Sequence, residues 1–444
     1  MNSRLWTPQE VTRMLELYEG GYRCVEIASM WGRTESSVRL KLLGMGLSSR
    51  RILSAVTESE PLDEIVTDEV PSEVAEDVVR LRAQRELELR ERRVEDRKQI
   101  DDAKRDILED RILEEFKRHL CNLPRLEKSA PLTIVPRPGP LHTAVLVISD
   151  VHAGQVIDSR EIEGLGFYNP AVTLARLHLL EQEVGRILRE RPIDKLLLLF
   201  GGDILHGHLG HSLEDDLTVP IALQSDLAIH LFFHFLTRLS CLVPRIEVHG
   251  VAGNHGRWPG MRKMPTERRW SNLDTIFYSA LAALCEFGGL QNINFDERIS
   301  SRRMIDVGRC RLELLHGDEI RGGAFCTGGM SREVTNATLR NVQAGRQAVD
   351  YFVMGDKHFS ASVPYGTGAF VVNGSFVGVD GFGMNFIPAP PAQTLFFLHP
   401  ALGKVESHEL RLQNAENSET LPYPLKPSLA ELIRRFQNDH PLRL

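Results

Sequence analysis

Thr143-Ala144-Val145-Leu146-Val147-Ile148-Ser149-Asp150-Val151-His152 is an apolar run, rich in β-branched residues, that ends abruptly in an acid and an imidazole. No polar residue alternates through it, so it predicts a strand buried on both faces. The carboxyl end of such a strand is where an open α/β sheet presents its ligand crevice. The same grammar recurs downstream. Lys195–Phe200 leads into Gly201-Gly202-Asp203, Ile246–Ala252 into Gly253-Asn254-His255, Arg311–Leu315 into His316-Gly317-Asp318, and Tyr351–Met354 into Gly355-Asp356-Lys357-His358. Glycine beside most of these polar residues lets the backbone turn sharply and approach an ion closely.

A lone histidine on a loop is ordinarily structural. Five strand ends delivering carboxylate, imidazole and amide groups in one ordered series point instead to a metal centre. Such mixed donors suit Mn2+, Fe or Zn2+ better than a thiolate site does. The six cysteines (Cys24, Cys121, Cys241, Cys285, Cys310 and Cys326) contain no Cys-x-x-Cys pair, which disfavours a zinc knuckle or a disulfide framework. His206, His208 and His211 have no recognised ligand spacing, and His206, three residues after Asp203, is the one expected to approach substrate.

The order Asp150-x-His152, Gly202-Asp203, Gly253-Asn254-His255, His316-Gly-Asp, Gly355-x-x-His358 resembles the calcineurin-like metallophosphoesterase superfamily over about residues 141–410. The resemblance implies an α/β (α+β) fold, a four-layer αββα sandwich. It implies two divalent ions, with Mn2+ expected and Fe, Zn2+ or Mg2+ as alternatives. Asp150, His152 and His358 would hold the first ion, Asp203 would bridge, and Asn254 and His316 would hold the second. His255 would stabilise the transition state or protonate the leaving oxygen, so that His255, Asp150 and Asp203 form the catalytic set. Two such ions clamp phosphate oxygens and generate a bridging hydroxide for in-line attack on phosphorus. Two positions depart from the family pattern. Asp356 stands where a second-metal histidine is expected, so it either ligates that ion as a harder donor or leaves the position weak. Arg257 follows the Asn-His pair where an acid often sits, and either binds a substrate phosphate or is merely exposed.

The remaining chain sets the context. Its 444 residues exceed one ordinary domain, its 42% apolar and 25% charged content is that of a soluble globular protein, and its formal charge of -7 gives no overall basic excess. No apolar signal core opens the sequence and no stretch is apolar enough to span a bilayer, so a cytoplasmic protein without membrane contact is expected. Residues 1–52 carry a net charge of +3 and read as three short helices, with Thr7-Pro8-Gln9-Glu10 as a capping box and glycine stops at Gly20, Gly32 and Gly44. This segment resembles small Myb/SANT-like and GcrA-like helix-turn-helix domains. That resemblance implies DNA binding through Ser36, Ser37, Arg39 and Lys41 of the third helix; a packing module is the alternative. Residues 53–76 are an acidic linker, and 77–128 a charged helical spacer, either a solvated rod or a dimerisation arm. Pro131, Pro136, Pro138 and Pro140 mark the boundary before the 141–410 domain. Residues 411–444 form a tail whose amphipathic stretch Leu429–Phe436 docks on the core or on a neighbour.

Gly202-Asp203-Ile204-Leu205-His206-Gly207 lacks the Asp-Arg-Gly continuation of serine/threonine protein phosphatases. Asn373-Gly374-Ser375 after the strand Ala369–Val372 resembles the SbcD-type repair exonucleases and metallophosphoesterases of tailed phages. These features favour a DNA nuclease, acting in the host cytoplasm if phage-encoded. A cyclic- or dinucleotide phosphodiesterase, or a DNA-binding scaffold with a degenerate esterase domain, are the alternatives.

Overall fold

The computed structural model describes residues 8–19, 24–30, 38, 41–42, 89, 92, 95–96 and 141–439, except 208–218, 258–271, 299, 322–324, 382–383, 385–386, 417 and 419. They fall into two compact units, residues 1–95 and 96–444.

In the first unit, helix α1 (Pro8–Glu19) and helix α2 (Cys24–Met30) enclose a small core of Met14, Ile27 and Ala28, joined by Val38 and Leu42. Val38 and Leu42 are fully buried in that core. Lys41 is half-buried, and Ser36, Ser37 and Arg39 lie outside the described residues. The acidic linker also lies outside them. Of the charged spacer, Leu89, Arg92, Glu95 and Asp96 are described; all four are helical and exposed.

The second unit is built on two sheets. The first has strand order β11-β10-β1-β2-β3-β4, where β1 is His142–Ile148, β2 Ile193–Phe200, β3 Ile246–Gly250, β4 Ile293–Phe295, β10 Ala392–His399 and β11 Gly403–Arg411. Strands β1 to β4 run parallel, and β10 and β11 close one side antiparallel. The second sheet has order β5-β6-β7-β9-β8, from β5 (Arg302–Val307), β6 (Cys310–Leu315), β7 (Tyr351–Met354), β8 (Ala361–Tyr365) and β9 (Gly368–Val372).

Alternate side chains of each central strand enter different cores, which is why the sequence runs lack polar alternation. Ala144, Leu146 and Ile148 of β1, with Leu196, Leu198 and Phe200 of β2, pack under helices α3 (Pro170–Arg189), α4 (Ile221–Ser240) and α5 (Leu273–Phe287). Val145, Val147, Leu197 and Leu199 face the other way, onto Leu312, Leu314, Val353 and Val371 of the second sheet. The outer face of that sheet, through Phe352, Met354, Phe370 and Val372, packs against Met330 and Ala337 of helix α6 (Thr327–Gln343). Helix, sheet, sheet and helix thus form the four layers expected. Each leucine so enclosed contributes roughly 1.5–3 kcal/mol relative to exposure.

Beyond β11 the chain continues over the helical layer. Tyr423, Leu429 and Ile433 are buried in the main core, the last two on helix α7 (Pro427–Asp439). Of the two outcomes expected for this amphipathic stretch, it packs on its own core. Among the described residues, no helix is long and apolar enough to cross a membrane.

Candidate metal centre

Loops at the carboxyl ends of β1, β2, β3, β6 and β7 converge on one buried site. The parallel ladder continues past the strands: Asp150 N donates to Gly202 O at 3.0 Å, His152 N to Asp203 O at 2.9 Å and Gly355 N to His316 O at 2.8 Å. Among the described residues, seven non-glycine residues have positive φ, and five of them are Asp150, His152, Asp203, Asp356 and His358. A left-handed conformation costs about 1–3 kcal/mol per residue and persists where surrounding structure enforces it. Here it turns each side chain inward. Two glycines are required by close approach: a Cβ on Gly253 would lie 2.0 Å from Asp203 Oδ1, and one on Gly355 2.4 Å from Asp150 Oδ2.

Besides a cluster of His152, His206 and His255, the ligand-type atoms form two adjoining groups that contain carboxylates. In the first, Asp150, His152 and His358 bring one donor atom each within 4.8 Å of one another. His152 Nε2 faces His358 Nε2 at 3.3 Å, and His358 Nε2 lies 3.6 Å from Asp150 Oδ1. The second combines Asp150, Asp203 and His316, so Asp150 belongs to both. His316 Nε2 lies 2.9 Å from Asn254 Oδ1, 3.2 Å from Asp203 Oδ2 and 3.6 Å from Asp356 Oδ1. Asp356, the departure from the family pattern, therefore points one oxygen into this group; its other oxygen accepts from Lys357 Nζ at 2.6 Å.

The second group has the chemistry of a cation cradle. In neutral His316, Nδ1–H donating to Gly201 O at 2.7 Å leaves Nε2 as a lone pair. With its oxygen inward, the Asn254 amide meets only acceptors. Turned over, its nitrogen reaches Asp203 Oδ2 at 3.1 Å, Asp356 Oδ1 at 3.3 Å and His316 Nε2 at 2.9 Å. With His316 neutral, one amide oxygen, one imidazole nitrogen and two carboxylate oxygens converge, so the residues present fit a divalent ion.

Proton affinities record the same imbalance. Burial pushes the Asp150 carboxyl up to about 6, against the pull of His358 and His316. Burial opposes charge on His316, yet Asp203, Asp356 and Asp150 raise it well above the ordinary imidazole range. Burial would raise Asp203 too, but His316, His255 and His152 hold it well below the usual carboxylate range. His152 is pushed well below its ordinary value by burial, then by His255 and His358. Protons are thus shared among ligands where a divalent cation would balance them.

His255 stands at the edge of the first group, its ring centroid 4.4 Å from that of His152 and 5.2 Å from that of His206. Its Nδ1 lies 3.1 Å from the backbone carbonyl of His206, and its N–H donates to Asp203 Oδ1 at 2.8 Å. No acidic orienting partner was visible in the sequence; the orienting group is a backbone oxygen, which no motif encodes. His206 thus sits beside His255, while His208 and His211 lie outside the described residues. Arg257 pairs with Asp318 at 2.6 Å and remains partly exposed.

Sequence reasoning missed the supports. The buried Asp274 carboxylate accepts from Asp203 N, Ile204 N and Gly253 N at 2.9, 3.0 and 2.9 Å, clipping two ligand-bearing loops together. Burial and the neighbouring Asp203 raise Asp274 to about 6. Asn272 caps α5 through Asp274 N and donates to Gly253 O. Its place before an apolar run was a legible cap signal, but the clip was not. Gln393 similarly accepts from Ser149 N and Asn373 Nδ2, each at 2.9 Å, and fixes the loop behind Asp150.

Residues 143–359 match the sequence profile of the family described as calcineurin-like phosphoesterase. No curated protein matches the sequence significantly. Similar solved structures include an archaeal phosphodiesterase (10% identity, TM-score 0.29, covering 61% of this chain and 99% of that one). Another is a putative 5'-nucleotidase from Staphylococcus aureus (13% identity, TM-score 0.33, 67% of this chain and 58% of that one). A third is Vps29 from Entamoeba histolytica complexed with Zn2+ (15% identity, TM-score 0.25, 60% of this chain and 99% of that one). The profile match and the two ligand groups together carry the assignment: this chain contains a calcineurin-like metallophosphoesterase domain, that of a metal-dependent hydrolase.

Proposed function

We propose that this chain is a two-metal phosphodiester hydrolase acting on DNA, with the N-terminal unit as its DNA-binding module. The observation that carries the hydrolase reading is the pair of ligand groups sharing Asp150. Asp150, His152 and His358 would hold the first ion, and Asp203, Asn254, His316 and Asp356 the second, with Asp150 common to both donor groups. Mn2+ suits both donor sets. Two bound divalent ions supply charge to polarise the phosphate oxygens and acidify water for attack on phosphorus.

The chain's own residues do the rest. As an imidazolium, His255 would donate Nδ1–H to the His206 carbonyl, which fixes the ring, and would pass the proton on Nε2 to the leaving oxygen, ending as the neutral ring. Arg257, steered by Asp318, and His206 line the approach for the substrate phosphate. The DNA reading is supported by the basic N-terminal segment, whose Met14, Ile27, Val38 and Leu42 form the core of a small helical unit. The Gly-Asp segment, which lacks a protein-phosphatase continuation, agrees with it.

The test is hydrolysis of single- and double-stranded DNA with Mn2+, beside Asp203→Ala and His255→Ala controls. Cleavage in the parent and loss in both variants is expected. Turnover confined to mononucleotides or cyclic nucleotides would replace DNA with a small phosphodiester as substrate.

A further inference from the structure

We infer that the Asp356–Lys357 pair makes the second ion position hard and oxygen-dominated, so that it disfavours Mg2+ or Mn2+ relative to Zn2+ less than a histidine at 356 would, with Lys357 setting its affinity. This rests on the two-ion reading above.

The two groups differ in donor chemistry. The first places two imidazole nitrogens 3.3 Å apart with one Asp150 oxygen beside them. The second gathers oxygens from Asp203, Asn254 and Asp356 around the single nitrogen of His316. Imidazole suits Zn2+ and Fe; carboxylate and carbonyl oxygens suit Mg2+ and Mn2+. A histidine at 356 would even out the two positions, and the aspartate separates them.

Lys357 answers the added charge. Its Nζ binds Asp356 Oδ2 at 2.6 Å, while Oδ1 stays toward His316. Both side chains are largely enclosed, so this pair is poorly screened. Asp356 with Lys357 is neutral, as an imidazole in its place would be. Removing the lysine charge therefore tightens the ion while leaving the site more negative toward an anionic phosphodiester. A lysine that merely contacted substrate would weaken substrate and leave the ion unchanged.

The test is calorimetric titration of metal-stripped full-length protein with Zn2+, Mg2+ and Mn2+, with Mn2+ paramagnetic resonance as a second readout. After one equivalent of Zn2+, the parent is expected to take Mg2+ or Mn2+ as its second ion with a smaller disadvantage relative to Zn2+ than Asp356→His shows. Asp356→His should shift the second position toward Zn2+ by about tenfold or more. Lys357→Met, close in shape, should tighten the second Mn2+ by about tenfold and raise KM for a phosphodiester. Two bound ions with an unchanged preference in Asp356→His, or an unchanged Mn2+ affinity in Lys357→Met, would overturn the inference and leave the two-ion reading standing. Fewer than one ion bound per chain would remove both.

Discussion

Two regions of the catalytic unit bury carboxylates and answer the cost differently. Under the C-terminal segment, buried Asp226 pairs with His230 at 3.2 Å and with Lys426, a residue of the segment that covers it. Nearby, Tyr423 stacks on His234 and donates to Glu181 at 2.7 Å. At the carboxyl ends of the strands, Asp150, Asp203 and Asp274 are equally buried, but they meet imidazoles, amides and backbone N–H groups, and nearby Lys357 is bound to Asp356. A buried carboxylate needs a compensating charge. In the first region the chain supplies it as Lys426; in the second, the clustered ligand-type groups are ones that a cation from solution would balance.

The sharpest way to break that contrast is at Asp203. Asp203→Ala removes a ligand and should lower kcat/KM by about 10³-fold or more, with near-native stability in the absence of metal. Unimpaired hydrolysis would mean that the centre is not where the chemistry occurs. Next comes Lys426→Met, which strands Asp226 and should destabilise the fold by about 3–5 kcal/mol in urea unfolding. Metal affinity of the folded variant should be unchanged.

That variant also carries a pH signature. Burial would raise Asp226, but His230 and Lys426 hold it below the ordinary carboxylate range. A depressed carboxylate contributes stability above its unfolded pKa of about 3.9, lost as pH falls through the lower folded value. Without Lys426, burial dominates, so the stability gap between parent and variant should widen as pH rises from about 4 to 7. A gap flat with pH would show that Lys426 acts through packing alone.

Smaller effects sharpen the other side. Mn2+ at about 100 times its Kd should stabilise the parent by about 2.7 kcal/mol, read as a rise in Tm, and should do little for Asp203→Ala. Asp274→Asn keeps the size but turns an NH2 toward backbone donors. It should weaken metal binding by about 10–100-fold with the ligands themselves intact. Unaltered affinity would reduce Asp274 to a helix-terminal residue of no consequence for the centre.

Much of the catalytic unit was legible. Buried runs such as Thr143–Ile148 and Leu196–Phe200 announce themselves because both faces are enclosed, and glycine beside Asp203, Asn254 and Asp356 marks where the backbone must turn or yield space. The four layers followed from the resemblance those strand ends carry. Other features depend on residues far apart in the chain. Asp274 reaches Asp203 across 71 positions, the His206 carbonyl meets His255 across 49, and Lys426 finds Asp226 only when the tail folds back over the helices.

By itself, then, the sequence determined which strands form, where they end and which ligand-type residues stand at those ends. Periodicity and residue type are local properties. Tertiary structure alone decided that Asp356 turns one oxygen toward His316 and gives the other to Lys357, and that His255 is held by a backbone carbonyl. The reason is geometric: left-handed turns and close glycine contacts fix direction to within ångströms, and only the packed sheets enforce them.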